Sequence, residues 1–577
     1  YVINKISNTS AKNRFIGSTR IKWDILDWLF VQGKVGQDHF SYKMDNKIPE
    51  GTGFAKPGRI SQLNTSFTER NWELVVGVNK DLGKDFTLNV IAGGNIMTQH
   101  YDYNNVVGEG VVIPGLAVIN NTSTKTVSIS ESNKRINSLF ATAELGYKGF
   151  LYLNATGRND WFSTLNPNNN SYLYPSVSGS FVFSELFHMP EFIDFGKFRV
   201  GYASVGGDTD PYQLDLTYEL LGFNYNGYPL GNISQPTVPN RLLRPLSVSE
   251  FEVGFDVRFF KNRLGIDMAF YDKLTKNDIT QETLTATSGY NGASVNVGKL
   301  RNRGAELLIY GTPVQTSAFS WDISLNGSYN KSKVLKISNQ ASELNLGSRG
   351  KASVRLIEGE EYAQIVGPAI ERNEQGQDII SNDGLNIVNR GNVVSFGSGI
   401  HKWNMGITNT INYKSFALSF LVDGKFGAKL YSVSSYELDH RGMTVKSLLG
   451  RADGAILPGV KQSDGKPNDI MVTPSMAGNR LIVINRREAL NDYLYNASFI
   501  KLRSIALTYN FSKGVLNSVR FIKGASISLV GNNLALLMTH AKQIDPDGNW
   551  STGNAQGIEA SNLPPIKTYG VDIKLKF

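Results

Sequence analysis

The sequence contains no cysteine, so neither a disulfide framework nor a thiolate metal site can hold it together. It has no apolar run of the ~18 residues that a membrane-spanning helix needs. It is poor in charge: Asp, Glu, Lys and Arg make up 19% of 577 residues, low for a soluble chain of this length. The six histidines (His39, His100, His188, His401, His440 and His540) are nowhere paired at metal-ligand spacing. The Gly-rich VGGDTD (205–210) lacks the Lys-Ser/Thr of a phosphate loop. DPDGNWSTGN (545–554) and SNDGLN (381–386) lack the Gly and Glu spacing of a calcium loop, and read as turns. No catalytic constellation, resident metal or cofactor is expected, and the chain reads as a non-enzyme. The net charge of +9 is spread over Lys and Arg interleaved with acids, without the basic stripe that nucleic-acid binding requires. The start at Tyr1, with neither initiator Met nor signal peptide, reads as that of a mature or partial chain. None of these absences excludes a membrane β-barrel, whose strands are short and whose inward residues are polar.

What the sequence has in quantity is alternation. In TYGVDIKLKF, Tyr569, Val571, Ile573, Leu575 and Phe577 are apolar, and the residues between them are polar or small. EFEVGFDVRFF and SFALSFLVDGK repeat the pattern, as does RLGIDMAFYDK. Period-two patterning predicts strands with one oily and one wet face. About seventeen such segments begin near residues 14, 28, 61, 85, 134, 149, 171, 197, 249, 263, 294, 318, 398, 415, 496, 519 and 568.

The connections alternate between two kinds. NKDLGKD, YKGF, FFKNRL and NYKSF are short; residues 102–132, 206–247, 334–396, 431–494 and 534–566 are long and polar. Antiparallel neighbours reverse direction each time, so all long loops fall at one end of the sheet. That asymmetry, with Leu, Val, Ile and Phe on one face and Asn, Asp, Lys and Ser on the other, points to an all-β transmembrane antiparallel barrel in an outer membrane. A soluble β-rich binding protein is the alternative, and it leaves the loop asymmetry unexplained. Trp23, Trp28, Tyr147, Trp403, Tyr413, Tyr509 and Phe577 lie near strand ends, where aromatics meet the membrane interface.

Several strands resemble the SusC/RagA-type TonB-dependent outer-membrane transporters. ASFIKLRSIALTYNF (497–511) is similar to a late strand of that family. GRNDWFSTLNPNNNSYLYPSVSGSFVFSE (157–185), LRPLSVSEFEVGFDVRFFKNRLGIDMAFYDKLTKNDI (243–279), GKLRNRGAELLI (298–309) and GNNLALLMTHAKQIDPD (531–547) follow in family order. The resemblance implies a barrel of about 22 strands occluded by a plug. Residues 1–577 are then expected to be the C-terminal part of one barrel domain, with the plug and first strands lying outside this chain. It further implies uptake of oligosaccharides or peptides, a SusD-like surface lipoprotein as lid, energy from TonB–ExbB–ExbD acting through the plug, and room for a dimer of transporter–lipoprotein pairs. A passive pore of the same architecture is the rival.

Candidate ligand contacts come from polar-face residues near the long-loop end. LYLNATGRND places Arg158 and Asp160 on one face, beside Trp161. Lys501 and Arg503 project opposite Ile500 and Leu502. In loop 206–247, Tyr225 and Tyr228 join Tyr212 and Tyr218 among Asn and Gly, a composition suited to stacking on sugar rings or peptides. For the four charged residues, a salt-bridged network on the inner wall or a contact with the plug is the plainer alternative.

Overall fold

The computed structural model describes residues 5–233, 237–290, 292–338, 341–478, 480–516, 521–541, 543–563 and 565–577. The chain is mostly β, and its long strands are antiparallel. The seventeen expected segments coincide with strands of 9 to 26 residues. The start expected near 519 lies outside the described residues; that strand is described from Gly524. There are two compact units: residues 1–181, 201–250 and 275–297, and residues 182–200, 251–274 and 298–577.

The first unit is a meander. β1 (Ser7–Leu26), β2 (Leu29–Ile48), β3 (Arg59–Leu82), β4 (Phe86–Val111), β5 (Thr122–Tyr147), β6 (Leu151–Phe162) and β7 (Ser171–Phe181) each pair with the next. The short turns use the backbone chemistry that tight reversals demand: Gly83 and the pair Lys148–Gly149 take positive φ. β4 and β5 are longer than the pattern predicts. Residues 102–111 and 122–132, expected in a loop, remain paired out to Val111 opposite Thr122, which leaves only 112–121 as the connection. Polar strand residues such as Asn104 and Ser128 masked this extension, because alternation fails where both faces are wet.

In the second unit the strands Gly298–Gln315, Phe319–Lys336, Trp403–Tyr413, Phe416–Phe426, Phe499–Asn510, Gly524–Thr539 and Thr568–Lys576 are consecutive neighbours. Two of the long connections here fold. Residues 343–349, 352–357, 364–370 and 388–398 make a four-stranded sheet, and short helices occupy 433–440 and 481–486. Val354, Ile365, Tyr431, Leu490, Tyr493 and Ile558 form its fully buried centre. The loops are thus packed bodies with apolar cores, held by residues up to about 200 positions apart.

The outward faces of the long strands are bare. Leu74, Leu139, Leu153, Leu529, Val571 and Ile573 are all exposed, while the opposite faces carry Asn, Glu, Ser and Thr in contact with one another. A soluble protein does not leave sheet faces of this size open to water. Aromatic pairs lie at the short-turn ends: Phe86 on Tyr147, Tyr147 on Phe150, Phe416 on Tyr509 and Phe521 on Phe577.

Candidate functional site

Strict alternation would put Ile505, Leu507 and Tyr509 on the same face as Lys501. A bulge at Arg503 prevents this. Leu502 pairs with Val422 and Ser504 with Leu421, so Arg503 is an extra residue. Lys501 and Arg503 therefore share the polar face, and Leu507 and Tyr509 return to the bare one.

The two cations meet three carboxylates. Arg503 donates from Nε and Nη2 to both oxygens of Asp423, at 2.9 and 2.6 Å. Lys501 Nζ donates to Asp545 at 2.8 Å and lies 3.7 Å from Asp547. Lys425, opposite Phe499 in the ladder, donates to Asp547 at 2.9 Å, and Arg503 Nη2 reaches the same carboxylate at 3.4 Å. Burial alone would push the Asp547 carboxyl up; the bond from Lys425 and the charges of Lys501 and Arg503 outweigh it and hold the group below its usual value. DPDGNW is accordingly a docking turn whose two carboxylates are taken by wall cations. SNDGLN is also a turn, with Gly384 at positive φ and Ser381 bonded to Leu385 O.

Beside this cluster lies a cavity of about 410 Å3, lined by Lys501, Asn533, Gln543, Glu559, Asn562 and Lys567 among others. Glu559 is 3% exposed and accepts from Ser432 Oγ, Ser434 Oγ and the Asn562 N–H. This combination of a buried acid, amides and lysines can hold a polar ligand through hydrogen bonds. Sequence reading missed Asp423, Lys425, Asp545, Asp547 and Glu559 as site residues. Charged residues two apart in DGK (423–425) and KLR (501–503), which share a strand face, were the available signal.

In the first unit, Arg158 Nε donates to Asp160 Oδ1 at 2.8 Å and Nη2 to Ser138 Oγ at 2.8 Å, with the guanidinium 5.8 Å from the Phe140 ring. Trp161 is on the opposite, outward face of β6, in register with Asn137. The structure therefore joins Arg158 and Asp160 and separates Trp161 from them. Tyr225 and Tyr228 face each other across a hairpin of residues 218–225 and 228–233, whose Asn226–Gly227 turn has positive φ at both positions. Both rings are exposed, at 68% and 75%, as is Tyr218.

Of the expected interface aromatics, Trp23, Trp28, Trp403 and Phe577 are exposed. Trp28 carries Lys80 over its ring at 5.0 Å, and Trp403 packs on Tyr329 at 4.5 Å. Tyr509 is half-buried between Phe416 and Phe511.

A polar-walled antiparallel sheet with bare outward faces and loops sorted by length defines an outer-membrane barrel, and the comparisons agree. The family described as TonB dependent receptor-like, beta-barrel matches residues 4–438, and the chain belongs to it. Members of this family are outer-membrane proteins and are not enzymes. TonB-dependent receptor P26 of Formosa agariphila is 24% identical over 99% of this chain and 60% of its own length. TonB-dependent receptor SusC of Bacteroides thetaiotaomicron is 23% identical over 66% of this chain and 37% of its own. The solved structure of the RagAB peptide transporter matches with a TM-score of 0.81 at 18% identity, over all of this chain and 63% of that one. SusC and the RagAB transporter are thus both among the proteins this chain is similar to. The chain spans about 60% of the length of the first curated relative it matches.

Proposed function

We propose that this chain supplies the wall and outer loops of a TonB-energised importer for bulky nutrients, peptides or oligosaccharides, working with a SusD-like surface lipoprotein. The observation that carries this reading is the folding of the long connections into cored bodies, with the 545–547 turn pinned to the polar wall by Lys425, Lys501 and Arg503. A lid-operated importer needs such bodies, because its loops must present a fixed surface to the lid and reposition when substrate is taken up. The exposed tyrosines of the 218–233 hairpin suit contact with a partner protein or a sugar face. Peptide is the cargo named for the RagAB relative, and it is one arm of the test.

The test is uptake of labelled peptide and oligosaccharide pools by cells with and without the gene, in backgrounds with and without TonB. Gene- and TonB-dependent uptake supports the importer. Uptake that persists without TonB supports a pore. Co-purification of a surface lipoprotein after mild solubilisation tests the partner.

A further inference from the structure

Five strands of the first unit present a continuous outward face, and its rows can be read across the ladder. One row is Ile21, Gly33, Leu74, Gly94 and Leu139. The next, toward the long-loop end, is Thr19, Val35, Trp72, Ile96 and Asn137, with Trp161 of β6 beside Asn137. The row after that changes character to Gln37, Arg70, Thr98 and Arg135. His39, Thr68, His100 and Asn133 follow.

Two depressions lie on this face and share Arg135. The lower is an apolar groove of about 920 Å3 along Leu74, Val76, Ile96, Leu139 and the two tryptophans. Glycines open it. A Cβ on Gly33 would meet nothing within 4 Å, and one on Gly94 would touch Leu139 at 3.3 Å. The upper is a polar cleft of about 670 Å3 around Arg70, Thr98, His100, Asn133 and Arg135. Arg70 Nε donates to Gln37 Oε1 at 3.0 Å and Arg135 Nε to Asn137 Oδ1 at 2.9 Å. Among the described residues neither guanidinium is in an ion pair. The acids beyond them, Asp102 and Glu131, lie 3.1 and 3.6 Å from His100.

The depth of this change fits a bilayer. From the turn at Leu82–Phe86 to Trp72 is ten residues of β3, about 33 Å along the strand. A tilt of ~40° makes that about 25 Å of height, the span of an outer-membrane apolar band. Trp72 and Trp161 then stand at the interface, and Arg70 and Arg135 at headgroup level, about 10 Å apart across two strand spacings. Exposed arginines without carboxylate partners at that level, directly above an apolar channel, are complementary to an anionic headgroup on an acyl chain.

We propose that this face is a specific site for a phosphate-bearing lipid of the outer leaflet, with Arg70 and Arg135 on the phosphate and an acyl chain in the glycine-opened groove. The proposal rests on the outer-membrane placement and is separable from the importer reading, because it concerns the outward face only.

The test uses the protein purified from outer membranes in non-ionic detergent, with bisphosphorylated lipid A, its dephosphorylated form and inorganic phosphate as probes. Native mass spectrometry counts retained lipid, and brominated acyl chains report proximity through quenching of tryptophan. The wild type should retain the phosphorylated lipid and prefer it at least tenfold over the dephosphorylated form. Arg70→Gln with Arg135→Gln should abolish that preference, and Gly33→Leu should reduce acyl quenching without weakening inorganic phosphate. Heat-modifiable migration of each variant confirms that the barrel has assembled. Equal lipid retention by wild type and the double variant, both heat-modifiable, overturns the site and leaves the membrane placement standing. Binding of inorganic phosphate as tight as that of the lipid also overturns it, since the groove would then contribute nothing. A wild type that shows no heat modification would remove the placement itself.

Discussion

Replacing Lys501 by Met should undock the 543–562 turn from the wall. The ammonium is 7% exposed and bonds Asp545, which is itself only 15% exposed. Removing one partner of a buried pair costs about 3–5 kcal/mol, because the other charge is left desolvated. Asp547 keeps Lys425 and Arg503, so the lower end applies, about 3 kcal/mol. That corresponds to a shift on the order of 100-fold in the docking equilibrium, read as faster amide hydrogen exchange across 543–562 with the strand Phe499–Asn510 unchanged. Asp545→Asn should act in the same direction by a smaller amount. The double variant should show a coupling of about 2 kcal/mol, since the two residues share one bond. Strictly additive effects, or unchanged exchange in Lys501→Met, would refute the claim that this pair holds the loop.

Acid should loosen the same turn. Asp547 is held below its usual value, so its contribution is complete above the ordinary carboxylate range and is lost as pH falls through the depressed value, below about pH 4; exchange of 543–562 against pH measures it. His401 acts earlier. Burial lowers its ring against the bond to Ala497 O, so its contribution is complete above about pH 6.5 and declines as pH falls, and His401→Phe should flatten that part of the profile. Ile365→Ala, in the core of the four-stranded loop sheet, should cost about 2–5 kcal/mol of loop stability and leave heat-modifiable migration intact. Val571→Lys places a charge on the bare face opposite Leu529, costs about 2–4 kcal/mol in lipid, and should impair assembly, whereas Lys574→Gln should not.

The sequence by itself determined that the chain forms about seventeen alternating strands and, along their regular stretches, which face of each is apolar. Val571 and Ile573 alternate with Asp572 and Lys574 because a strand repeats every two residues, and no tertiary contact is needed to see that. Membrane exposure was legible for the same reason, since lipid imposes one rule on every strand. The bulge at Arg503 was not legible, because one inserted residue is invisible until the register of Val422 and Leu421 is known. Neither was the fate of the long connections. The core of Val354, Ile365, Tyr431, Leu490 and Ile558 is assembled from short elements far apart in sequence, none of which carries a periodic signal of its own. The candidate site divides in the same way. Lys501 and Arg503 could be picked out from the strand pattern. Their carboxylates come from another strand and a distant turn, and only the folded chain brings Asp423, Asp545 and Asp547 to them, because ion pairing is decided by proximity in space.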